Sequence, residues 1–556
     1  MSDRIDRRSF LARGAAAGAG IAVVGASGGL LDACSSGASS STANTGSHPD
    51  GITTAAPKPG GQLIFGTEAE EKGFSTTLGT FDTTGILYAR TVFDPLAIIS
   101  SDGTVQPYLA ESITPNGDYT TWTITMRPNL VFHNGAPCDA AAVAANFEAQ
   151  QASLLTGPAV TTINSVSVTS PLVVSVTMKT PWVPFDFYLA GGIGGQIAFI
   201  AEPNWLKSSS QTNPIGTGPF VFQTWNPNDH FTATKNPHYW RSGYPYLDSI
   251  TYKPIPDSQQ LLNSLNSNVV DIIHTSTAEV TAQLRSNSSL AYVDDSQHVA
   301  GEPDMNCLLL NLSKPPFDNL KVRQAAAMAV SSAQYAQVID GGVSPTSNGP
   351  FVAGSPYYAP TGYPAPDINK AKQLVQQVQQ ETGQPVTLTI NHVPDSSTTK
   401  IAEYLQQQLK NAGMTVNLNP IQQANIINTA LQGTFQAQVW RQFGAVDPDL
   451  NYIFWSPTQI NSVFSINMAR NTSPDMQTAL IKGRQSPAQS DRTAAYQQVG
   501  QLMGSEIPYI WTDRTVWSIG AQPKVQNFNN PTTPAGGKAF GMITGAVWPT
   551  QIWLNS

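Results

Sequence analysis

Residues 385–440 switch between two hydrophobic periods, and this switching limits the architecture of the chain more than any other feature. Val386, Leu388 and Ile390 alternate over a short run; Ile401, Leu405 and Leu409 then recur at i, i+4 and i+8 up to a stop at Asn411-Ala412-Gly413. Met414, Val416 and Leu418 alternate again, Ile426, Ile427, Ala430 and Leu431 mark a second helix ending at Gly433, and residues 435–440 follow as a third strand. The spacing predicts strand, helix, strand, helix, strand. Strands joined by single helices return to the same edge of a sheet and pair in parallel, so this part of the chain is an α/β domain. In such sheets ligands bind beyond the carboxyl ends of the strands. The loop after Trp440, from Arg441 through Gly444 and Asp447 to Asp449, is therefore the first place to expect a ligand.

The first half reads differently. Trp122, Ile124 and Met126 alternate with threonines as a half-buried strand, Ser170-Pro171 separates two alternating runs as a hairpin turn, and Asp139 caps an Ala-rich helix reaching about Gln151. A chain of 556 residues exceeds one hydrophobic core, and two or three domains are expected. The net charge of -8, with no concentrated basic patch, excludes a nucleic-acid partner. Of the three cysteines, Cys138 and Cys307 are expected as free buried thiols, and no Cys-x-x-Cys pair is available for zinc.

The third cysteine belongs to the leader. Residues 1–34 combine a basic start containing Arg7 and Arg8, a Gly/Ala-rich apolar run from Gly14 to Leu31, and Leu31-Asp32-Ala33-Cys34. The order is that of a secretory signal. The segment around Arg7-Arg8 resembles a twin-arginine export signal, and residues 31–34 resemble a bacterial lipobox whose cysteine is lipidated. Cys34 is expected to anchor the exported protein to the outer face of the cell membrane, in the periplasmic or cell-envelope space, without a membrane span. The Ser/Thr/Gly/Pro-rich stretch 35–58 reads as a flexible tether.

Signs of catalysis do not accumulate. No nucleophile with a base, no paired carboxylates and no metal-ligand spacing is visible, so no catalytic, metal or cofactor site is assigned. The seven histidines are isolated; His133 and His238 read as turn or packing residues. Gly191-Gly192-Ile193-Gly194-Gly195 lacks the Lys-Ser/Thr of a phosphate loop and reads as a turn. Trp440, Trp455, Tyr509, Trp511 and Trp517 are the aromatics nearest predicted strand ends and are candidates to line a pocket.

Several segments in one order carry a resemblance. Asn213-Pro214-Ile215-Gly216-Thr217-Gly218-Pro219-Phe220 leads through Asn236-Pro237-His238-Tyr239-Trp240 to Asp271; Phe93-Asp94-Pro95-Leu96, Pro107 to Glu111, Met126 to Gly135, Pro315 to Asp318, Val322 to Ala325 and Glu506-Ile507-Pro508 accompany them. Together they resemble the family 5 extracellular solute-binding proteins, the oligopeptide-, dipeptide- and nickel-binding lipoproteins of ABC transporters. The Gly216-Thr217-Gly218 segment itself reads as a turn whose glycines supply positive φ.

The resemblance implies a two-lobed periplasmic-binding-protein fold of type II, cluster C, with an extra inserted domain. Lobe I is then 59–92 plus 205–300 plus 513–556, the inserted domain 93–204, and lobe II 301–512. It implies a monomer that closes on a peptide ligand and delivers it to permease and ATPase subunits, with the same fold serving a glycan, nickel chelate or haem, or an envelope interaction role, as the alternative. The segments implied to hold the ligand are Asp82, Thr83 and Thr84 in one lobe, and Val439, Trp440, Arg441, Gly444 and Asp447, with Trp511, in the other. Peptide-binding relatives carry an Asp shortly after the strand-end Trp for the ligand's ammonium. Phe443 or Gly444 stands at that position here, so either Asp447 or Asp82 substitutes, or the cargo has no free ammonium.

Overall fold

The computed structural model describes residues 51–52, 55–79, 81–191, 196–208, 210, 212–296, 301–461 and 464–555. Arg7, Arg8, Cys34, the 192–195 glycine run and most of the 35–58 stretch lie outside the described residues. Within that stretch Gly51 is buried: its carbonyl accepts the Asn527 N–H at 2.6 Å.

Three sheets organise the chain. The first has seven strands in the order Ala291–Asp294, Ser518–Ala521, Ile272–Thr275, Gln62–Thr67, Ser249–Pro254, His230–Lys235, Phe220–Asn226. Gln62–Thr67 is parallel to both of its neighbours, and the outer strands join antiparallel. The second has five strands in the order Thr415–Pro420, Thr387–His392, Ala437–Gln442, Met305–Leu310, Tyr509–Arg514. Its first three are the parallel trio expected from the 385–440 pattern, connected by helices Ser396–Asn411 and Gln423–Gln432. Met305–Leu310 and Tyr509–Arg514 then extend it antiparallel. Local periodicity does not reveal these two, because their partners are far away in sequence.

The third sheet, Ala110–Pro115, Thr121–Met126, Val173–Met178 and Ile163–Ser170, is an antiparallel set containing the predicted hairpin. Trp122, Ile124 and Met126 are buried on one face, as alternation requires. Asp139 caps Ala140–Ala152 by accepting from the Ala141 and Ala142 N–H groups. Behind the first sheet, helix Thr83–Val92 is buried at all ten positions and anchors an apolar cluster with Phe65, Phe231 and Tyr252. One continuous cluster joins the third sheet to a face of the second, where Trp182, Phe185 and Tyr188 share a core with Leu450, Trp455 and Trp511.

Two expectations need correction or completion. Gly216 and Gly218 do not have positive φ; they are small because Val92 and Phe93 run against them, so that a Cβ would lie 2.2 Å and 2.4 Å from Val92 backbone atoms. The constraint is close approach, not turn geometry. His133 sits on the same segment, accepting the Gly216 N–H and bonding Gly218 O at 3.1 Å, which fits its packing role. Cys138 and Cys307 are both free and buried, and burial pushes the Cys307 thiol up.

The chain crosses between the first and second sheets twice, before Met305 and after Arg514. The crossings touch: the Thr515 N–H donates to Asp304 O at 3.0 Å. Everything charged that the two sheets share gathers beside this point.

Candidate functional site

Four segments bring charge to one place. Strand Gln62–Thr67 ends at its carboxyl edge with Glu68, whose carboxylate accepts from the Ser276 N–H and Oγ at 2.9 Å. The Glu68 N–H donates to His274 Nε2 at 3.2 Å, and the His274 ring stacks on Trp517 at 5.6 Å. Burial holds the His274 pKa below its ordinary value, so the ring is neutral. Asp82 caps helix Thr83–Val92 through the Gly85 N–H at 3.1 Å. Burial raises its pKa, the Gly85 N–H and the Arg441 guanidinium pull it back down, and Glu68 adds to the rise.

From the second sheet comes Arg441, near the end of strand Ala437–Gln442. Its guanidinium lies 4.6 Å over the Trp517 ring, Nη2 is 3.7 Å from Glu68 Oε1, and Nε is 3.8 Å from Asp304 Oδ2. These separations are within ion-pair range and beyond hydrogen-bond length. With 29% of its side chain exposed, Arg441 faces three carboxylates while keeping its donors for something else. Asp304, by contrast, is fully committed: it accepts from the Gly444 N–H at 2.6 Å and from Trp517 Nε1 at 2.9 Å.

The two residues counted at the family carboxylate's position, Phe443 and Gly444, differ in the room they have. A Cβ on Gly444 would lie 2.1 Å from Glu302 O, so no side chain fits there, and the half-buried Phe443 ring packs against Phe454 at 5.6 Å. Asp304 reaches the Gly444 amide from the crossing just before strand Met305–Leu310. Asp447 does not join the group: its buried carboxylate takes Arg492 Nη2 at 2.6 Å and 2.7 Å and caps the Asp449 N–H at 2.9 Å. It closes the turn at Pro448 and pairs with helix Gln489–Glu506.

The other sequence candidates divide likewise. Thr83 Oγ1 donates to Thr544 O at 2.9 Å, while the Thr84 hydroxyl is buried with no hydrogen-bond partner. Trp440 and Val439 are half-buried on their strand; Trp511 is buried between Tyr509, at 4.8 Å, and the strand bearing Cys307, and its Nε1 has no partner. Sequence reasoning missed Glu68, Asp304, His274 and Ser276. Glu68 directly follows a strand, so the carboxyl-end rule that pointed to Arg441 applies to it too. Asp304 has no such signal, since it acts from a crossing between sheets. Among the described residues no group of three His, Cys, Asp or Glu side chains is arranged to hold a metal, and no helix is long and apolar enough to cross a membrane.

This geometry, a cluster between two sheets with no catalytic constellation, agrees with the comparisons to known proteins. The glutathione-binding protein GsiB of Salmonella paratyphi A is 28% identical over 457 residues, covering 78% of this chain and 86% of the relative. Helicobacter pylori DppA, an ABC transporter-associated periplasmic binding protein in complex with the peptide STSA, superposes with a TM-score of 0.78 at 21% identity, over 90% of this chain and 99% of the other. Brucella suis NikA in complex with Fe(III)-EDTA gives a TM-score of 0.73 at 22% identity, over 89% and 100%. The fold is that of the periplasmic binding proteins. A match to the family described as "Bacterial extracellular solute-binding proteins, family 5 Middle" spans residues 104–462, and the chain belongs to that family, as a solute-binding protein and not an enzyme.

Proposed function

We propose that this protein is the capture component of an ABC importer for small peptides, closing its two lobes on the ligand beside Glu68, Asp82, Arg441 and Trp517. The observation that carries the reading is Arg441, which leaves one sheet and stops within 3.7 Å of a carboxylate at the edge of the other. A peptide with a carboxylate and an ammonium would exchange charge with both sides, Arg441 taking the first and Glu68 or Asp82 the second. Hinge closure around a ligand is the usual motion of such folds. The likeness to a glutathione-binding relative makes short peptides the first class to test. Cys34 would carry the lipid and Arg7-Arg8 would direct export before that step.

One observation favours a second reading, a cargo without a free ammonium such as a metal chelate: Gly444 has no room for a side chain and Phe443 carries no carboxylate. Native mass spectrometry of protein purified from its own envelope, followed by calorimetry with glutathione, dipeptides and their N-acetylated forms, separates the two. Retained peptide and weaker binding after acetylation support peptide capture. Tight binding of a chelate with no response to any peptide overturns it.

A further inference from the structure

Away from the cleft, a recess of about 540 Å³ opens between the end of strand Thr121–Met126, the segment after Trp240 and the 532–536 loop. It shares no residue with the cleft cluster. Two guanidiniums line it. Arg127 gives one hydrogen bond, Nε to Tyr108 O at 2.9 Å, and lies 5.3 Å from the Trp240 ring centre. Arg241 is held by Tyr108 OH at 3.2 Å and Thr532 O at 3.2 Å, with the Tyr244 ring centre 4.9 Å away. Trp240 is itself fixed, donating Nε1 to Asp94 Oδ2 at 2.9 Å.

Among the described residues no carboxylate lies within 4.0 Å of either guanidinium, whereas Arg285, Arg441, Arg484 and Arg492 each have one. A guanidinium has five N–H donors, and most of those on Arg127 are unused. Burial holds the Arg127 pKa below its ordinary value; Glu111, which also lines the recess, opposes that shift and Arg241 adds to it. Two like charges have thus been brought to one half-buried recess in which, among the described residues, no carboxylate forms an ion pair with either, in a chain whose net charge is -8. The remaining wall is mixed: Pro128, Leu130 and Pro534 give it an apolar part, and Ser242, Thr532 and Thr533 a polar one.

We propose that this recess is a second binding site, independent of the cleft, for a small organic anion: a carboxylate or phosphate monoester with a short apolar body. The anionic group bridges Arg127 and Arg241, for which planar forked donors are suited. The body lies on Leu130 and Pro534. Glu111 opposes the two guanidiniums and weakens the hold on any anion.

The test uses purified protein at low ionic strength, titrated with phenyl phosphate, benzoate and the neutral benzyl alcohol, followed by calorimetry and ligand-observed NMR. Phenyl phosphate and benzoate are expected to saturate one site and benzyl alcohol to show none. Arg127→Gln should weaken both anions about tenfold, the value of one lost charge-assisted contact. Glu111→Gln should tighten them severalfold. Arg241→Gln removes the bonds to Tyr108 and Thr532 and risks local unfolding, so the Arg127 and Glu111 variants decide. No saturable anion binding, or binding that is the same in both of these variants as in the parent, overturns the proposal.

Discussion

The loop after Trp440 feeds two charged clusters that differ in one respect. Asp447 and Asp449 sit in a sealed cluster: Asp447 is doubly bonded by Arg492, and Asp449 takes Arg484 Nε at 2.9 Å, Trp182 Nε1 at 2.9 Å and the Tyr496 hydroxyl. The Arg484 guanidinium is also pressed against the Tyr452 ring at 3.6 Å. Six residues earlier, Arg441 meets Glu68 and Asp304 only at 3.7 Å and 3.8 Å. Buried charge is tolerated where an opposite charge is hydrogen-bonded directly to it, as in the sealed cluster, although Arg492 Nε itself has no partner. A charge left half-exposed and under-bonded is available to a ligand. The sealed cluster also ties together two stretches far apart in sequence, since Trp182 and Tyr188 come from one and Asp449 and Arg484 from the other. The same short stretch therefore fixes the scaffold at one end and carries the open candidate cluster at the other.

The comparison breaks first if the sealed cluster is not structural. Asp449→Asn leaves the Arg484 guanidinium buried and uncompensated, and should cost about 3–5 kcal/mol of unfolding free energy. Urea denaturation of the variant against the parent measures it. A change below about 1 kcal/mol, the range of an exposed pair, would show that burial alone does not separate the two clusters.

Asp94 sharpens the comparison, because it is buried with neutral donors only: Trp240 Nε1, the Tyr239 hydroxyl at 3.0 Å and the Thr217 hydroxyl at 3.1 Å. Burial outweighs these bonds and pushes its pKa up to about 7. Asp186 is also raised to about 7, by burial and then by the Asp447 charge. In the unfolded chain both release their protons near pH 4. Between about pH 4 and 7 the folded state holds more protons, so these groups make stability fall as pH rises through that window, by up to about 1.4 kcal/mol per pH unit per group. Above pH 7 their contribution is flat. Asp94→Asn should flatten part of the slope between pH 5 and pH 7, with the Asp186 share remaining; an unchanged slope in denaturation midpoints would place the effect elsewhere.

Arg441→Gln tests the open cluster. Its ion pairs are long and its side chain is partly exposed, so stability should move by no more than about 1 kcal/mol. Affinity for a free-carboxylate peptide should drop about tenfold or more, as loss of one charge-assisted contact implies. Calorimetry beside thermal melting separates the two effects. A variant that melts much earlier yet binds normally would reverse the roles assigned to the clusters.

What could be read in the sequence follows the range of the interactions. The 385–440 alternation, the Ser170-Pro171 hairpin and the Asp139 cap are local, and each stands in the structure. The antiparallel partners Met305–Leu310 and Tyr509–Arg514 are not local, and neither is Asp304, which reaches Gly444 across 140 positions. The placement of Arg441 near a strand's carboxyl end was legible, because the strand itself is set by local alternation. The fate of Asp447 was not, because Asp-Pro signals a turn while its true partner, Arg492, lies 45 residues away on another helix.

The smallest expected effect is the most informative about cargo. Asn caps a helix about as well as Asp, so Asp82→Asn should retain the bond to the Gly85 N–H and change stability by less than about 0.5 kcal/mol. What it removes is charge, beside Glu68 and opposite Arg441. If Asp82 helps hold a ligand ammonium, the variant should bind a free peptide about threefold to tenfold more weakly, as loss of a partly solvated charge contact implies. Binding of the N-acetylated peptide should not change, because acetylation has already removed the ammonium. The double comparison, parent and variant against free and acetylated peptide, isolates the pairwise term from any general loosening of the helix end. Equal affinities in all four combinations would reject ammonium recognition at Asp82. With Asp447 bound to Arg492 and Gly444 too crowded for a side chain, the cargo would then have to be one that brings only its anionic group to Arg441.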